Sequence, residues 1–239
     1  MNRLQALLND PAQDVELAPG KAMASQLEVL IRRDIIDGVL AAGSKLLLRE
    51  LAERYSVGVT PLREALSRLC STGFVLAIDQ KGFRVSQVTK EQLEDILQTR
   101  IDVEALALTR AMRLRDPAWE GDLLAMHHRL RGLPMSEPGN PRTISSAWDQ
   151  AHRAFHETLV EGCGSPWLIR FSEVLRDQSA RYRYLSVGAP EAGERDIAGE
   201  HAELVDAVLS HDVQLACDLL KQHYRRTRDL AVKSLSRVA

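Results

Sequence analysis

TPLREALSRLCSTGFVLAIDQKGFRVSQV, residues 60–88, changes character once along its length. Thr60-Pro61 reads as a sharp helix start, with Thr60 as N-cap and Pro61 at the first helical position, where its missing N–H costs nothing. The helix runs to Gly73, a natural C-terminal stop. From Phe74 onward, residues that favour strands surround a Lys81-Gly82 turn, so the second half reads as a β-hairpin.

Working outward toward the N-terminus, AMASQLEVLIRRDII, residues 22–36, repeats Leu27, Leu30, Ile31 and Ile35 at helical spacing. Gly38 ends that helix and AAGSK follows as a turn. LLLRELAERYSV then forms a short helix with Leu51, Ala52 and Tyr55 on one face. Helix, helix, turn, helix, hairpin is the order of a winged helix-turn-helix. Residues 1–20, with two prolines and three acids, read as a flexible leader.

Toward the C-terminus everything after Thr89 reads as helical. EQLEDILQTRIDVEALALTRAMRLR, residues 91–115, is one long amphipathic helix with apolar residues at 93, 96, 97, 101, 103, 106 and 108. Further helices are expected near 118–131, 144–161, 166–185, 195–210 and 212–235. LPMSEPGNPR, GCGS, SVGAPEAGE and a turn at Ser210 separate them. The expected fold is mainly α: a winged helix-turn-helix over residues 21–89, then an all-α antiparallel bundle over 90–239.

Charge divides along the same line. Residues 21–90 carry 11 Lys/Arg against 7 Asp/Glu, net +4, while residues 91–239 carry 19 against 23, net −4. A basic front segment calls for an anionic partner. Cys70, Cys163 and Cys217 form no CxxC pair and read as small buried residues of a reducing compartment. The first residues lack the apolar segment of a signal peptide, and no apolar run reaches the ~20 residues of a membrane span. The expectation is a cytoplasmic protein with no membrane partner. No GxSxG, P-loop or GxGxxG motif is present.

In a helix-turn-helix the second helix enters the major groove, and its first turns meet base edges. Thr60, Arg63 and Ser67 face the groove on this reading, with Arg63 suited to guanine or to a phosphate. Lys45, Arg49 and Lys81 are placed for phosphates, and Gly82 lets the hairpin tip approach the DNA backbone. Scattered surface Lys and Arg are also what any helical domain carries; the ordered combination is what points to DNA.

HRAFH, residues 152–156, raises a separate question. On a helix His152 and His156 are i and i+4, about 6 Å apart on one face. His201 lies three residues before Leu204 on the inward face of its helix, and His223 extends the stripe of Leu215, Leu219 and Leu220. Four imidazoles from three helices suit zinc or nickel. They equally suit a hydrogen-bonded polar core. His127, His128 and His211 read as surface or turn residues.

IRRDIIDGVLAAGSKLLLRELAERYSVGVTPLREALSRLCSTGFV resembles the DNA-binding domain of the GntR family of bacterial transcription regulators, with TPLREALSRL as its specific signature. The family commonly has Ser-Arg before the Thr-Pro, where this chain has Gly58 and Val59, so its usual half-site does not transfer. Arg100 and Glu104, HRAFHETL, EHAELVDAV and ACDLLKQH are similar to the FCD ligand-sensing domain found behind that DNA-binding domain. The resemblance implies a divalent metal held by an Asp, a His four residues later and two His in the last helices. His156, His201 and His223 match those positions, and His152 stands where the Asp is usual. Loss of that carboxylate favours zinc or nickel over manganese. Asp149, a turn earlier, is expected behind the site and not as a ligand.

The resemblance further implies a homodimer, operator DNA, repression, and a small carboxylate effector beside the metal. Arg100 is the first candidate to clamp that carboxylate through two parallel hydrogen bonds, with Arg181 and Arg183 behind it. Two alternatives stay open. The pocket could bind an organic acid directly with no metal, or the metal could serve a hydrolase. The second lacks the general base of HExxH, since Arg153 occupies that position.

Overall fold

The computed structural model describes residues 21–187, 189, 193 and 195–238, so the expected leader lies outside the described residues. The described residues form two compact units, one of residues 21–35 and 43–86, the other of residues 36–42 and the described residues from Gln87 on.

In the first unit, α1 (Lys21–Ile36) buries Ala24, Leu27, Ile31 and Ile35, one stripe at helical spacing. β1 (Lys45–Leu46), α2 (Leu48–Tyr55), α3 (Val59–Ser71), β2 (Val75–Ile78) and β3 (Gly82–Val85) follow. The expected hairpin is there, with Val75 opposite Val85 and Ile78 opposite Gly82. Gln80 and Gly82 take positive φ at its tip, 56° and 85°. β1 is an addition to the sequence reading: Lys45 and Leu46 pair with Arg84 and Phe83, giving an antiparallel sheet of order β1-β3-β2. Two residues are too few for a period to register.

The start of α3 also corrects the sequence reading. Gly58, not Thr60, is the N-cap, and no side chain caps the helix. Pro61 is therefore the third helical residue, still within the turn whose N–H groups have no helical partner. α3 buries Leu62, Ala65, Leu66 and Leu69, each worth about 1.5–3 kcal/mol for the leucines. Gly73 then takes φ 78°, as the expected stop requires.

The second unit contains α4 (Lys90–Leu114), α5 (Pro117–Arg131), β4 (Ser136–Glu137), β5 (Asn140–Ile144), α6 (Ser146–Glu161), α7 (Pro166–Val187), α8 (Ile197–Leu209) and α9 (Val213–Val238). Caps fix several starts: the Thr89, Asp116 and Asp196 side chains accept from the N–H of Gln92, Ala118 and Gly199. The β4–β5 hairpin occupies the segment expected to be loop. α4, α7 and α9 pack on one another, α6 lies against α4, α5 and α7, and α8 against α5 and α9. Leu93, Leu108, Leu123, Phe155, Val208 and Leu220 fill the core between them.

Two stripes differ in detail from the periodic expectation. Leu106 and Leu215 are 45% and 47% exposed. On α4 the buried stripe instead runs through Arg100 and Glu104; on α9 it runs through Ala216, Leu220, His223 and Tyr224. Polar residues occupy core positions because they bond to one another. Among the described residues, no helix is long and apolar enough to cross a membrane.

Candidate functional site

α6, α8 and α9 bring His152, His156, His201 and His223 together. One ring nitrogen from each lies within 4.8 Å of all the others, and all four side chains are buried. His152 and His156 present their Nε2 atoms to each other at 3.2 Å. The His201 and His223 rings are 4.8 Å apart, and Trp148 stacks on His152 at 4.6 Å. Burial holds all four pKa values below the ordinary histidine value, His223 at about 4, because a charged imidazole would lose its hydration. At neutral pH the cluster is four neutral imidazoles, the form that ligates metals.

Three of the four rings have their outer nitrogen held. Glu200 meets His223 Nδ1 at 2.8 Å. Tyr224 Oη meets His156 Nδ1 at 3.0 Å, and Arg183 reaches His152 Nδ1 at 3.4 Å. His201 differs: its Nε2 is buried with no hydrogen-bond partner among the described residues. Such an orphaned atom asks for an explanation, and an ion is one of the standard ones.

A shell of charge surrounds the histidines. Arg100 pairs with Glu104 at 3.0 Å and also donates to Ser179 and Tyr224. Despite burial, the Glu104 carboxyl stays below its ordinary value because Arg100 and Arg176 stand beside it. Arg183 pairs with Asp149. Arg195 pairs with Glu200 at 2.6 Å and donates to the His223 carbonyl and Thr227. Its hydrogen bonds, with those from His223, hold the Glu200 carboxyl low as well, against the opposing effect of burial.

Of the arginines expected at an effector, Arg100 and Arg183 line a cavity of about 30 Å³ beside the histidines, with His152, His223 and Tyr224. Arg181 is buried on α7 outside that wall. Arg195, which the sequence reading missed, lines it too. The helix expected from residue 195 begins only at Ile197, so Arg195 lies ahead of it and its direction follows no helical period. A wider cavity of about 280 Å³ shares Trp148 and Arg195 with the first and reaches His201 and Arg131. Asp149 stands behind His152, through Arg183, as expected. Arg153 turns to Asp177 at 2.5 Å, so position 153 offers no base.

In the winged unit, α3 exposes Thr60, Arg63 and Ser67 on the face opposite its buried leucines. Lys45, Lys81 and Gly82 are exposed on the sheet and its tip. Arg63, Lys45 and Lys81 form no ion pair among the described residues. Arg49 faces Glu53 at 3.3 Å, with its side chain 91% exposed. Gly58 and Val59, which replace the expected Ser-Arg, are exposed in the cap and first turn of α3.

Residues 23–85 match the bacterial regulatory proteins of the gntR family, and residues 95–226 match the FCD domain. The chain belongs to the GntR family. As a GntR-family protein with an FCD domain it is a DNA-binding transcriptional regulator, not an enzyme. It is similar to the Escherichia coli transcriptional repressor GlaR, 37% identical over 81% of this chain and 88% of GlaR. The Paraburkholderia xenovorans regulator BphR is 34% identical over 89% of this chain and 86% of BphR. Among solved structures, E. coli McbR/YncC superposes with a TM-score of 0.71 at 21% identity, covering 88% of this chain and 97% of that one. That likeness bears on the fold alone.

Proposed function

We propose that this GntR-family regulator is a homodimeric repressor whose operator affinity is set by a small carboxylate, bound next to a metal ion in the helical domain. His152, His156, His201 and His223 would hold the ion, with zinc or nickel suited to an all-imidazole set. The observation that carries the reading is the convergence of these four buried, neutral rings, one with an orphaned nitrogen. The 3.2 Å between the Nε2 atoms of His152 and His156 is also close to the edge of a tetrahedron of zinc–nitrogen bonds, about 3.3 Å. When bound, the metal supplies a positive centre for an anionic ligand. Arg100, Arg183 and Arg195 orient that ligand's carboxylate by forked hydrogen bonds.

Operator contact is assigned to Thr60, Arg63 and Ser67 on α3, with Lys45, Arg49, Lys81 and Gly82 against phosphates. Two copies would read two half-sites, and the effector acts only through unequal affinity for the DNA-competent and incompetent states.

A second reading keeps the regulator and omits the metal. It is favoured by the same 3.2 Å contact, since one protonated Nε2 can donate to the other. Elemental mass spectrometry decides between them, on protein purified without chelator or affinity metal, with His156→Ala alongside. About one equivalent of metal, lost in the variant, supports the first reading. No metal in a folded wild-type protein supports the second. Fluorescence anisotropy with promoter DNA tests the regulatory half; affinity indifferent to every small carboxylate overturns it.

A further inference from the structure

The hydrogen bonds around three of the four histidines place their protons, because some partners can only donate and others are already saturated. Tyr224 gives its single hydroxyl proton to Glu104 and accepts from Arg100. It can meet His156 Nδ1 only as an acceptor, so His156 carries its proton on Nδ1 and its lone pair on Nε2. Arg195 uses both Nη2 protons on Glu200 and the His223 carbonyl, so the Glu200 carboxylate takes the proton of His223 Nδ1. The free lone pair of His223 is again on Nε2. His201 Nε2 has no hydrogen-bond partner among the described residues.

His152 is the exception. A guanidinium never accepts, so Arg183 fixes His152 Nδ1 as the lone-pair nitrogen and puts the proton on Nε2. That Nε2–H points at the His156 lone pair 3.2 Å away, closing a consistent chain from Arg183 through His152, His156 and Tyr224 to Glu104. In this arrangement Nε2 of His152 cannot ligate. It becomes a ligand only if its proton moves to Nδ1, and a proton there would collide with the Arg183 donor.

Arg183 also lines the 30 Å³ cavity, and its Nε is buried without a hydrogen-bond partner among the described residues. Such a space is comparable with a single water. A larger anion needs a wall residue to move, and Arg183 is the wall residue whose movement also frees His152.

We infer that Arg183 is the positioning residue that decides whether His152 joins a metal held by the other three histidines, and that a small anion entering the adjoining cavity draws Arg183 away and releases it. The inference rests on the metal reading above and adds its regulation: metal and anion strengthen each other's binding through one arginine. By linkage the coupling is reciprocal.

The test uses full-length, metal-free protein labelled with nitrogen-15 at histidine, its His152 signals identified by loss in His152→Gln. Imidazole nitrogen shifts are expected to show His152 with its proton on Nε2. In Arg183→Gln, whose amide oxygen can accept, the proton is expected on Nδ1. Zinc affinity, read by chelator competition, is expected to rise about ten-fold in Arg183→Gln. Millimolar formate, acetate or malonate is expected to raise it in the wild type and not in the variant. Wild-type His152 protonated on Nδ1 overturns the inference even if the variant fails to fold. Equal zinc affinity in wild type and variant, or no response to any of the three anions, overturns the coupling and leaves the metal reading intact. No zinc uptake by either protein overturns the metal reading itself.

Discussion

Arg63, Lys45 and Lys81 of the winged domain stand exposed with no ion pair among the described residues, whereas Arg100, Arg183 and Arg195 of the helical domain lie largely buried, each against its own carboxylate. The same kind of charge is free of ion pairs at one end of the chain and paired at the other. An exposed cation keeps its hydration and its reach, so it can neutralise a phosphate at little cost. A buried one is tolerable only inside a satisfied network. Substitutions in the two regions should therefore differ in what they disturb: binding in the first, folding as well as binding in the second.

The largest expected effect comes from breaking the buried pair. Glu104 accepts from Arg100, Ser172 and Tyr224, so Glu104→Gln leaves the Arg100 guanidinium buried without its counter-charge. A stability loss of about 3–5 kcal/mol is expected in urea unfolding. Arg49→Ala, which removes an exposed pair, should cost under about 1 kcal/mol. Similar losses in both would mean that the buried network does not hold the helical domain together.

The next effect is acid sensitivity confined to the helical domain. His223 has a folded pKa of about 4, set first by burial and then contested by the bond to Glu200, which raises it, and by Arg195 and Arg100, which lower it. The other three histidines and Tyr224 also face it. Because the folded value is depressed, the unfolded chain binds the proton more readily. Stability is then full above pH 6.5 and lost as pH falls toward 4, by about 3 kcal/mol for this group at ~1.4 kcal/mol per pH unit. Unfolding of metal-free protein across that window should show the slope. His223→Gln should flatten it by about one proton, and an unchanged slope would remove His223 from the account.

The two regions were also unequally legible from sequence. The winged domain is written in local signals: the stop at Gly73, the Lys81-Gly82 turn and the TPLREAL run each act within a few residues. The histidines were legible because i, i+4 spacing and a shared apolar stripe imply one direction. What surrounds them was not. Arg195 lies ahead of the start of α8 and not inside the helix expected from residue 195, Tyr224 carries no spacing signal beyond that of His223 beside it, and Glu200 looks like an ordinary first-turn acid. Their role appears only when three helices converge. Leu215 shows the converse failure, since an apolar residue beside the inward stripe was counted as part of it while the packing left it outside.

On the DNA side, Arg63→Ala should leave stability nearly unchanged, because the side chain supports nothing in the fold. Promoter affinity should fall by about 1–3 kcal/mol if Arg63 reads a guanine, with non-cognate DNA hardly affected. If it holds a phosphate, all sequences should weaken together and the slope of log affinity against log salt should shrink by about one per contact. Both unchanged in anisotropy titrations would take α3 out of the groove.

The smallest effect tests how much freedom the exposed region has. Gly58 is the N-cap of α3 at φ −75°, a conformation open to any residue, and the nearest atom to an added Cβ is Pro61 Cδ at 4.0 Å. A serine there can accept from only one of the two usual donors, because Pro61, the third helical residue, has no N–H. The remaining donor is the N–H of Thr60. Gly58→Ser should thus stabilise the winged domain by only a few tenths of a kcal/mol in thermal unfolding. Val59→Arg, one residue on, adds a cation to an exposed first turn and should steepen the salt dependence of DNA binding by about one contact per copy, with no cost in stability. A destabilisation by either change would mean that the start of α3 is built as tightly as the histidine cluster, and the contrast between the two regions would fail where it is most exposed to test.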